Sequence, residues 1–349
     1  MQKFKAEDLK KFAEGVFSAV GLPPASAAIV SESLVASDLR GVESHGICRI
    51  PVYVERIRIG AVNSRPQIRI HRNFPSIATV DGDNAMGVVV GVRAMDEAIE
   101  LAGKAGMGTV SIRGGNHLGA LAFYTKRAAR AGYIGLTCTN APPTMAPWGG
   151  RSPFFGTNPF SVTVPVAGGD PVVLDMASSV VARGKIILAA QKGDAIPEGW
   201  AIDEQGRPTS DPERALAGTV LPFGGYKGYG ITLMIEVMAG ILSGARFAPE
   251  VGGLYGGGKT AQDIGAFMAA LNPGAFGVPA DEFDGRMSAL MDGIRSCEKA
   301  EKVDRIYLPG EIERENERER LQQGIAVPSE VAEELRAVAV EVGVDPHPF

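Results

Sequence analysis

From residue 86 to 165 the hydrophobic pattern switches back and forth between helical and strand periods, and this alternation constrains the fold more than any other feature. Residues 86–104 read as a helix, 109–113 as a strand, 118–131 as a helix, and 133–139 and 158–164 as strands. Strands interleaved with helices imply an α/β fold, a sheet covered by helices. Upstream, Phe12, Val16 and Val20, then Ile29, Leu34, Val35 and Leu39, recur at helical spacing, and the first sixty residues read as three helices punctuated by Gly21-Leu22-Pro23-Pro24 and Gly41. At Gln67 the period changes: Ile68 and Ile70 alternate with polar neighbours, and Asp81-Gly82-Asp83 is a turn. Downstream, 171–174 is a strand, 180–190 and 225–244 are helices, and 264–271 fits either period. The segment 311–323, dense in Glu and Arg, is a solvated helix. These readings place a helical segment, 1–77, against 280–349, with an α/β region, 78–279, built from discontinuous pieces.

With 349 residues, 45% hydrophobic and 21% charged, the chain has enough apolar material for two or three interleaved lobes. Its 35 Lys+Arg against 40 Asp+Glu give a net charge of -5, and no basic run interleaves with aromatics, which argues against a nucleic-acid partner. The N-terminal stretch from Met1 is charged, and the most apolar later stretch, 231–242, is interrupted by Glu236, so neither export nor a membrane partner is expected. Cys48, Cys138 and Cys297 form no C-x-x-C pair and lie near no histidine at ligand spacing, which disfavours disulfides and a metal site and points to the cytoplasm.

Two glycine patterns bear on nucleotides. Among 45 glycines there is no G-x-G-x-x-G, so the usual dinucleotide-binding turn is not expected. Gly253-Leu254-Tyr255-Gly256-Gly257-Gly258-Lys259-Thr260 formally matches the phosphate-cradling G-x-x-x-x-G-K-[ST], the signature of an NTPase. No strand precedes it in the pattern, and no apolar run ending in Asp follows to complete such a site.

His45 and Arg49 stand four apart, one turn on a common face if a helix runs through them. Oxidising a 2-hydroxy acid requires a base for the hydroxyl proton and a fixed cation for the carboxylate; an imidazole and a guanidinium fork meet these needs, with Ser44 placed to orient the ring. The same spacing equally describes a capping serine, a structural histidine and a surface arginine. His117 sits in Gly114-Gly115-Asn116-His117-Leu118-Gly119, where strand gives way to helix and the helix end offers N–H groups to an anion such as a pyrophosphate; it is also an ordinary β–α turn. Lys227 lies among glycines at a helix start, again open to phosphate. His71 and His347 read as structural.

Taken in order, six segments resemble the malate/L-lactate dehydrogenase family over nearly the whole chain: Ser44-His45-Gly46-Ile47-Cys48-Arg49-Ile50-Pro51, Asn116-His117-Leu118-Gly119, Phe155-Gly156-Thr157-Asn158-Pro159-Phe160, Leu174-Asp175-Met176-Ala177-Ser178-Ser179, Gly224-Gly225-Tyr226-Lys227-Gly228-Tyr229-Gly230 and Leu308-Pro309-Gly310-Glu311. The resemblance implies a homodimer with a non-Rossmann NAD(P)-binding fold and a small carboxylate substrate. It implies that His45 is the acid/base with Ser44 as its hydroxyl partner, that Arg49 holds an anionic group, and that His117, Leu118, Gly119, Ala120, Leu121, Asp175, Met176, Ala177, Lys227, Gly228, Pro309, Gly310 and Glu311 surround NAD or NADP. In one branch of the family the residue matching His117 is the base, so the proton role stays open between the two histidines. The cyclic-imine reductase branch carries an acid where this chain has Lys185. A lysine has no acceptor for an imidazolium, which favours a 2-hydroxy or 2-oxo acid over an imine.

Overall fold

A computed structural model describes residues 2–256 and 258–349; Met1, in the charged N-terminal stretch, and Gly257, within the Gly253–Thr260 pattern, lie outside the described residues. The chain opens with β1 (Gln2–Phe4) and the helices α1 (Ala6–Ala19), α2 (Pro24–Leu39) and α3 (Ile50–Arg58). Helix α1 buries Leu9, Phe12, Ala13, Val16 and Phe17 on one face, as their spacing predicts. Between α2 and α3 the chain makes two 3-10 turns, Glu43–His45 and Ile47–Arg49, so His45 precedes the helix instead of lying on it.

The α/β region follows with β2 (Arg69–Phe74), β3 (Ile77–Asp81), α4 (Gly87–Ala105), β4 (Met107–Gly115), α5 (Ala122–Arg130), β5 (Ile134–Thr139), β6 (Phe160–Val164) and β7 (Val172–Met176). Helix α5 begins four residues later than its pattern suggests. Leu118 is buried and its carbonyl accepts a hydrogen bond from the Tyr124 hydroxyl, which holds the preceding residues in a turn. A smaller layer contains α6 (Arg183–Lys192), β8 (Ala201–Ile202), α7 (Pro212–Ala217), β9 (Thr219–Val220) and α8 (Tyr226–Glu236), the last running on through a π-helical turn, Val237–Ile241. The chain ends with β10 (Ile264–Leu271), α9 (Ala280–Arg295), α10 (Glu311–Gln323), β11 (Ile325–Val327) and α11 (Ser329–Val342).

The ambiguous segment 264–271 is a strand, and a central one. The sheet order is β2-β3-β4-β10-β5-β6-β7, with β10 antiparallel to both β4 and β5 and, among the described residues, β3–β4 its only parallel pair. Its run of small residues follows from that place: a Cβ on Gly265 would stand 1.8 Å from the Ala239 carbonyl oxygen of the π-helical turn. β11 pairs with β1, and α11 adds Leu335 and Ala339 to the cluster built by α1, α2 and α3, so the two ends of the chain share one core. A second core lies between α4, α5 and the sheet, and a third holds Met145, Phe155, Val181 and Ile186.

The Gly253–Thr260 pattern has neither flank of a phosphate loop. A 3-10 turn, Ala248–Glu250, precedes it, and strand β10 follows. No helix of the described residues is long and apolar enough to cross a membrane.

Candidate active site

Asp38, near the end of α2, is buried and its Oδ2 accepts a hydrogen bond from the Ile47 amide at 2.8 Å. Gly46 lies directly against that carboxyl, where a Cβ would stand 1.8 Å from Oδ1. Glycine is therefore required for the turn to close on α2. Burial pushes the Asp38 carboxyl up to about 7.

The turn held in this way presents Ser44, His45, Cys48 and Arg49 to a cleft of about 970 Å³. Ser44 Oγ and His45 Nδ1 are hydrogen-bonded at 2.9 Å. Burial lowers the His45 pKa to about 4, and the charge of Arg49 acts in the same direction. Arg49 Nε donates to the Ser44 carbonyl at 2.6 Å and Nη1 donates to the Tyr255 hydroxyl.

The rings of His45 and His117 stack with centroids 5.3 Å apart and planes 20° from parallel. Tyr53 Oη lies 2.7 Å from His117 Nδ1. Tyr53 is buried, burial pushes its phenol up, and it has no other acceptor among the described residues; it therefore donates, placing the His117 proton on Nε2. Burial, with the nearby charges of His45 and Arg49, drives His117 well below the usual imidazole range. The His117 amide donates to Gln262 Oε1 at 3.1 Å.

Gly119, Ala120, Leu121, Asp175, Met176, Ala177, Pro309 and Gly310 also line the cleft. Asp175 Oδ2 accepts from the Ala122 amide at 2.8 Å, so the start of α5, read from sequence as a seat for an external anion, is capped by the protein's own carboxylate. Desolvation by the cleft walls pushes Asp175 up to about 6. Glu311 stands behind the wall: it accepts from the Leu308 amide at 3.0 Å and pairs with Arg295 and Arg305, which fixes Pro309 and Gly310 in place. Leu118 is in the core. Lys227 and Gly228 lie in the first turn of α8 outside the cleft lining, Lys227 exposed and Gly228 buried where a Cβ would stand 1.9 Å from the Phe223 carbonyl oxygen. Lys185 is exposed on α6, also outside the lining.

Arg130 and Arg183 line the cleft as well, and among the described residues neither they nor Arg49 forms an ion pair with a carboxylate. Thr144, also in the cleft lining, has a buried hydroxyl with no hydrogen-bond partner among the described residues. Cations without a counter-charge and an unpartnered hydroxyl suit a ligand carrying separated negative charges. Among the described residues no group of three or more His, Cys, Asp or Glu is arranged to hold a metal ion.

Sequence reasoning assigned no role to Asp38, Tyr53, Tyr255 or Gln262. Tyr53 had a local signal, four residues beyond Arg49 in a helix that Pro51 opens; the other partners come from distant segments.

A family model described as malate/L-lactate dehydrogenase matches residues 4–336. The chain is 40% identical to a malate dehydrogenase of Pyrococcus abyssi, covering 97% of this chain and 94% of the relative. The solved structure of a sulfolactate dehydrogenase from Methanocaldococcus jannaschii superposes with a TM-score of 0.93 at 37% identity, over 100% of this chain and 99% of that one. A delta1-piperideine-2-carboxylate reductase from Pseudomonas syringae shares the fold at 28% identity and a TM-score of 0.87, over 97% of this chain and 100% of that one.

Proposed function

The chain belongs to the malate/L-lactate dehydrogenase family and is an NAD(P)-dependent oxidoreductase of small 2-hydroxy acids, and on that premise we propose that His45 carries the proton while Arg49 holds the substrate carboxylate. The observation that carries this reading is the pair of stacked imidazoles beside an arginine without an ion-pair partner. Arg130 and Arg183 would meet the phosphates of NAD(P), and Gly119–Leu121, Asp175–Ala177 and Pro309–Gly310 would border it. The bound nicotinamide supplies or accepts the hydride at the substrate's C2.

With His45 lowered to about 4, the imidazole of the free protein is neutral near pH 7 and ready to take the hydroxyl proton in oxidation. A carboxylate seated on Arg49 cancels the second cause of that lowering, so substrate binding raises the basicity of His45. In the reduction direction the same imidazole, once protonated, returns the proton to the developing alkoxide. His117, with its tautomer set by Tyr53, packs against His45 and supports its orientation. Lys185 stands where the cyclic-imine reductase branch carries an acid and supplies no carboxylate, which favours a 2-oxo acid over a cyclic imine.

We further propose that the chain works as a homodimer in the cytoplasm. Ile231, Met234, Val237 and Ile241 are exposed along one face of α8 and its π-helical extension, with Ile187 and Leu188 exposed on α6, an apolar surface of the kind a second copy covers. The free state of all three cysteines is compatible with a reducing compartment. The test is absorbance at the reduced-nicotinamide band with a panel of 2-oxo acids and one cyclic imine, each offered NADH and NADPH. Consumption with a 2-oxo acid supports the reading; consumption with the imine alone overturns the substrate class. Sedimentation velocity of the same preparation tests the dimer.

A further inference from the structure

The segment that sequence offers as a phosphate loop has a different task in the structure. Its two ends are brought together by a pair of hydrogen bonds, Gly252 N to the Gln262 carbonyl at 3.0 Å and Gln262 Nε2 to the Gly252 carbonyl at 3.2 Å. Gly252 is needed for that approach, since a Cβ there would stand 2.5 Å from the Ala261 carbonyl oxygen. Arg56, from α3, reaches between the same two ends: Nη1 donates to the Gly253 carbonyl at 3.2 Å and Nη2 to the Thr260 carbonyl at 3.1 Å.

Arg56 is only 3% exposed and, among the described residues, forms no ion pair with a carboxylate; it donates to the Gly253 and Thr260 carbonyls and, at 3.5 Å, to Asn116 Oδ1. A buried guanidinium without a counter-charge is costly. Its retention makes sense where the segment it holds must stay in register with its neighbour. That neighbour is Arg49. Tyr255 lies on the arm that begins at Gly253, its hydroxyl accepts from Arg49 Nη1, and its ring centroid is 5.7 Å from the guanidinium carbon. Tyr255 is 64% exposed and lines the cleft, and among the described residues its phenolic proton has no acceptor.

We propose that Tyr255 is a substrate-binding residue that acts with Arg49, donating its phenolic proton to the same substrate carboxylate, and that Arg56 is the positioning residue that keeps Tyr255 there. The proposal rests on the assignment of Arg49 to the substrate carboxylate. Arg49 Nε and one Nη1 proton are already committed within the protein, which leaves the guanidinium oriented toward the cleft; the phenol supplies a further donor to the bound anion.

The test compares steady-state KM and kcat for a 2-oxo acid that the wild-type enzyme reduces, in Tyr255→Phe, Arg49→Gln, Arg56→Gln and the double variant Tyr255→Phe/Arg56→Gln. Loss of a hydrogen bond to a charged group predicts a rise of roughly 10- to 100-fold in KM for Tyr255→Phe and a smaller fall in kcat. Arg56→Gln is expected to raise KM in the same sense, and the double variant to be little worse than Tyr255→Phe, because Arg56 acts through Tyr255. An unchanged KM in Tyr255→Phe while Arg49→Gln raises it overturns the proposal and leaves Arg49 in place. An unchanged KM in Arg49→Gln overturns the assignment on which the proposal stands. Full additivity in the double variant overturns the positioning role of Arg56. Because Tyr255 is exposed, its variant remains informative even where Arg56→Gln fails to fold.

Discussion

His45 and His117 face each other across 5.3 Å with nearly parallel rings, yet the two are built differently. His45 takes its hydroxyl partner from the adjacent residue, Ser44, on a half-open turn. His117 takes its partner from Tyr53, 64 positions away in the sequence, inside the protein. A local partner is cheap to keep and free to change with the ligand; a remote, buried one fixes a tautomer and holds two segments together. Under the proposed assignment, the difference matches one imidazole that exchanges a proton and one that holds its tautomer.

The largest expected effect separates them directly. Replacing His45 by Asn is expected to lower kcat by roughly 10²- to 10⁴-fold with little change in NAD(P)H affinity. His117→Asn is expected to cost roughly 10-fold, the scale of a lost supporting hydrogen bond. Turnover measured beside cofactor fluorescence titration checks both, and the reverse order would transfer the proton role to His117.

A pH series sharpens the contrast. Because His45 is lowered to about 4, kcat/KM for 2-hydroxy acid oxidation should stay level through pH 6.5 and fall only as the pH nears about 4. An acid limb at 6.5 would mean that the imidazole is not desolvated in the free enzyme. Folding stability carries the same signature. The unfolded chain takes up the His45 proton near 6.5 before the folded one does, so this residue costs stability as the pH drops from 6.5 toward 4. Asp38, raised to about 7, acts in the opposite sense: the stability it contributes below 3.8 is lost as the pH rises toward 7. The difference in melting temperature between wild type and His45→Asn, followed from pH 7 to pH 4.5, isolates the histidine, and it should shrink as the solution becomes more acidic.

The smallest effects concern the partners. Tyr53→Phe leaves a buried imidazole nitrogen unsatisfied and is expected to cost about 1–3 kcal/mol in urea unfolding. Ser44→Ala, on an exposed turn, is expected to stay within about 0.5 kcal/mol of wild type and to change turnover by only a few-fold. Equal losses would erase the distinction between the two partners.

What the sequence makes legible follows the same division between near and far. Helical spacing located α1, α2 and α4, and the Ser44–Arg49 neighbourhood stood out because its chemistry lies within six residues. The placement of β10 was not legible, since a run of Gly, Ala and Met fits either period and its partners in β4 and β5 lie more than a hundred residues upstream. Tyr255 was hidden for a related reason: its segment was weighed as a phosphate loop and set aside correctly, but only the fold brings it to Arg49. Asp175 shows the opposite failure, a helix end that looked open and is filled by a side chain from another strand.

The position of β10 also governs how the chain can be made. During synthesis β4 and β5 emerge long before residue 264, and until β10 arrives neither has the strand that covers this edge in the folded sheet. The nascent chain therefore passes through a long interval in which its central strands are open to pairing with other molecules, and the sheet closes only when a late segment threads between two early ones. A product released before residue 264 lacks the central strand of its sheet, so truncation ahead of the last quarter of the chain is expected to give an aggregation-prone fragment instead of a smaller domain.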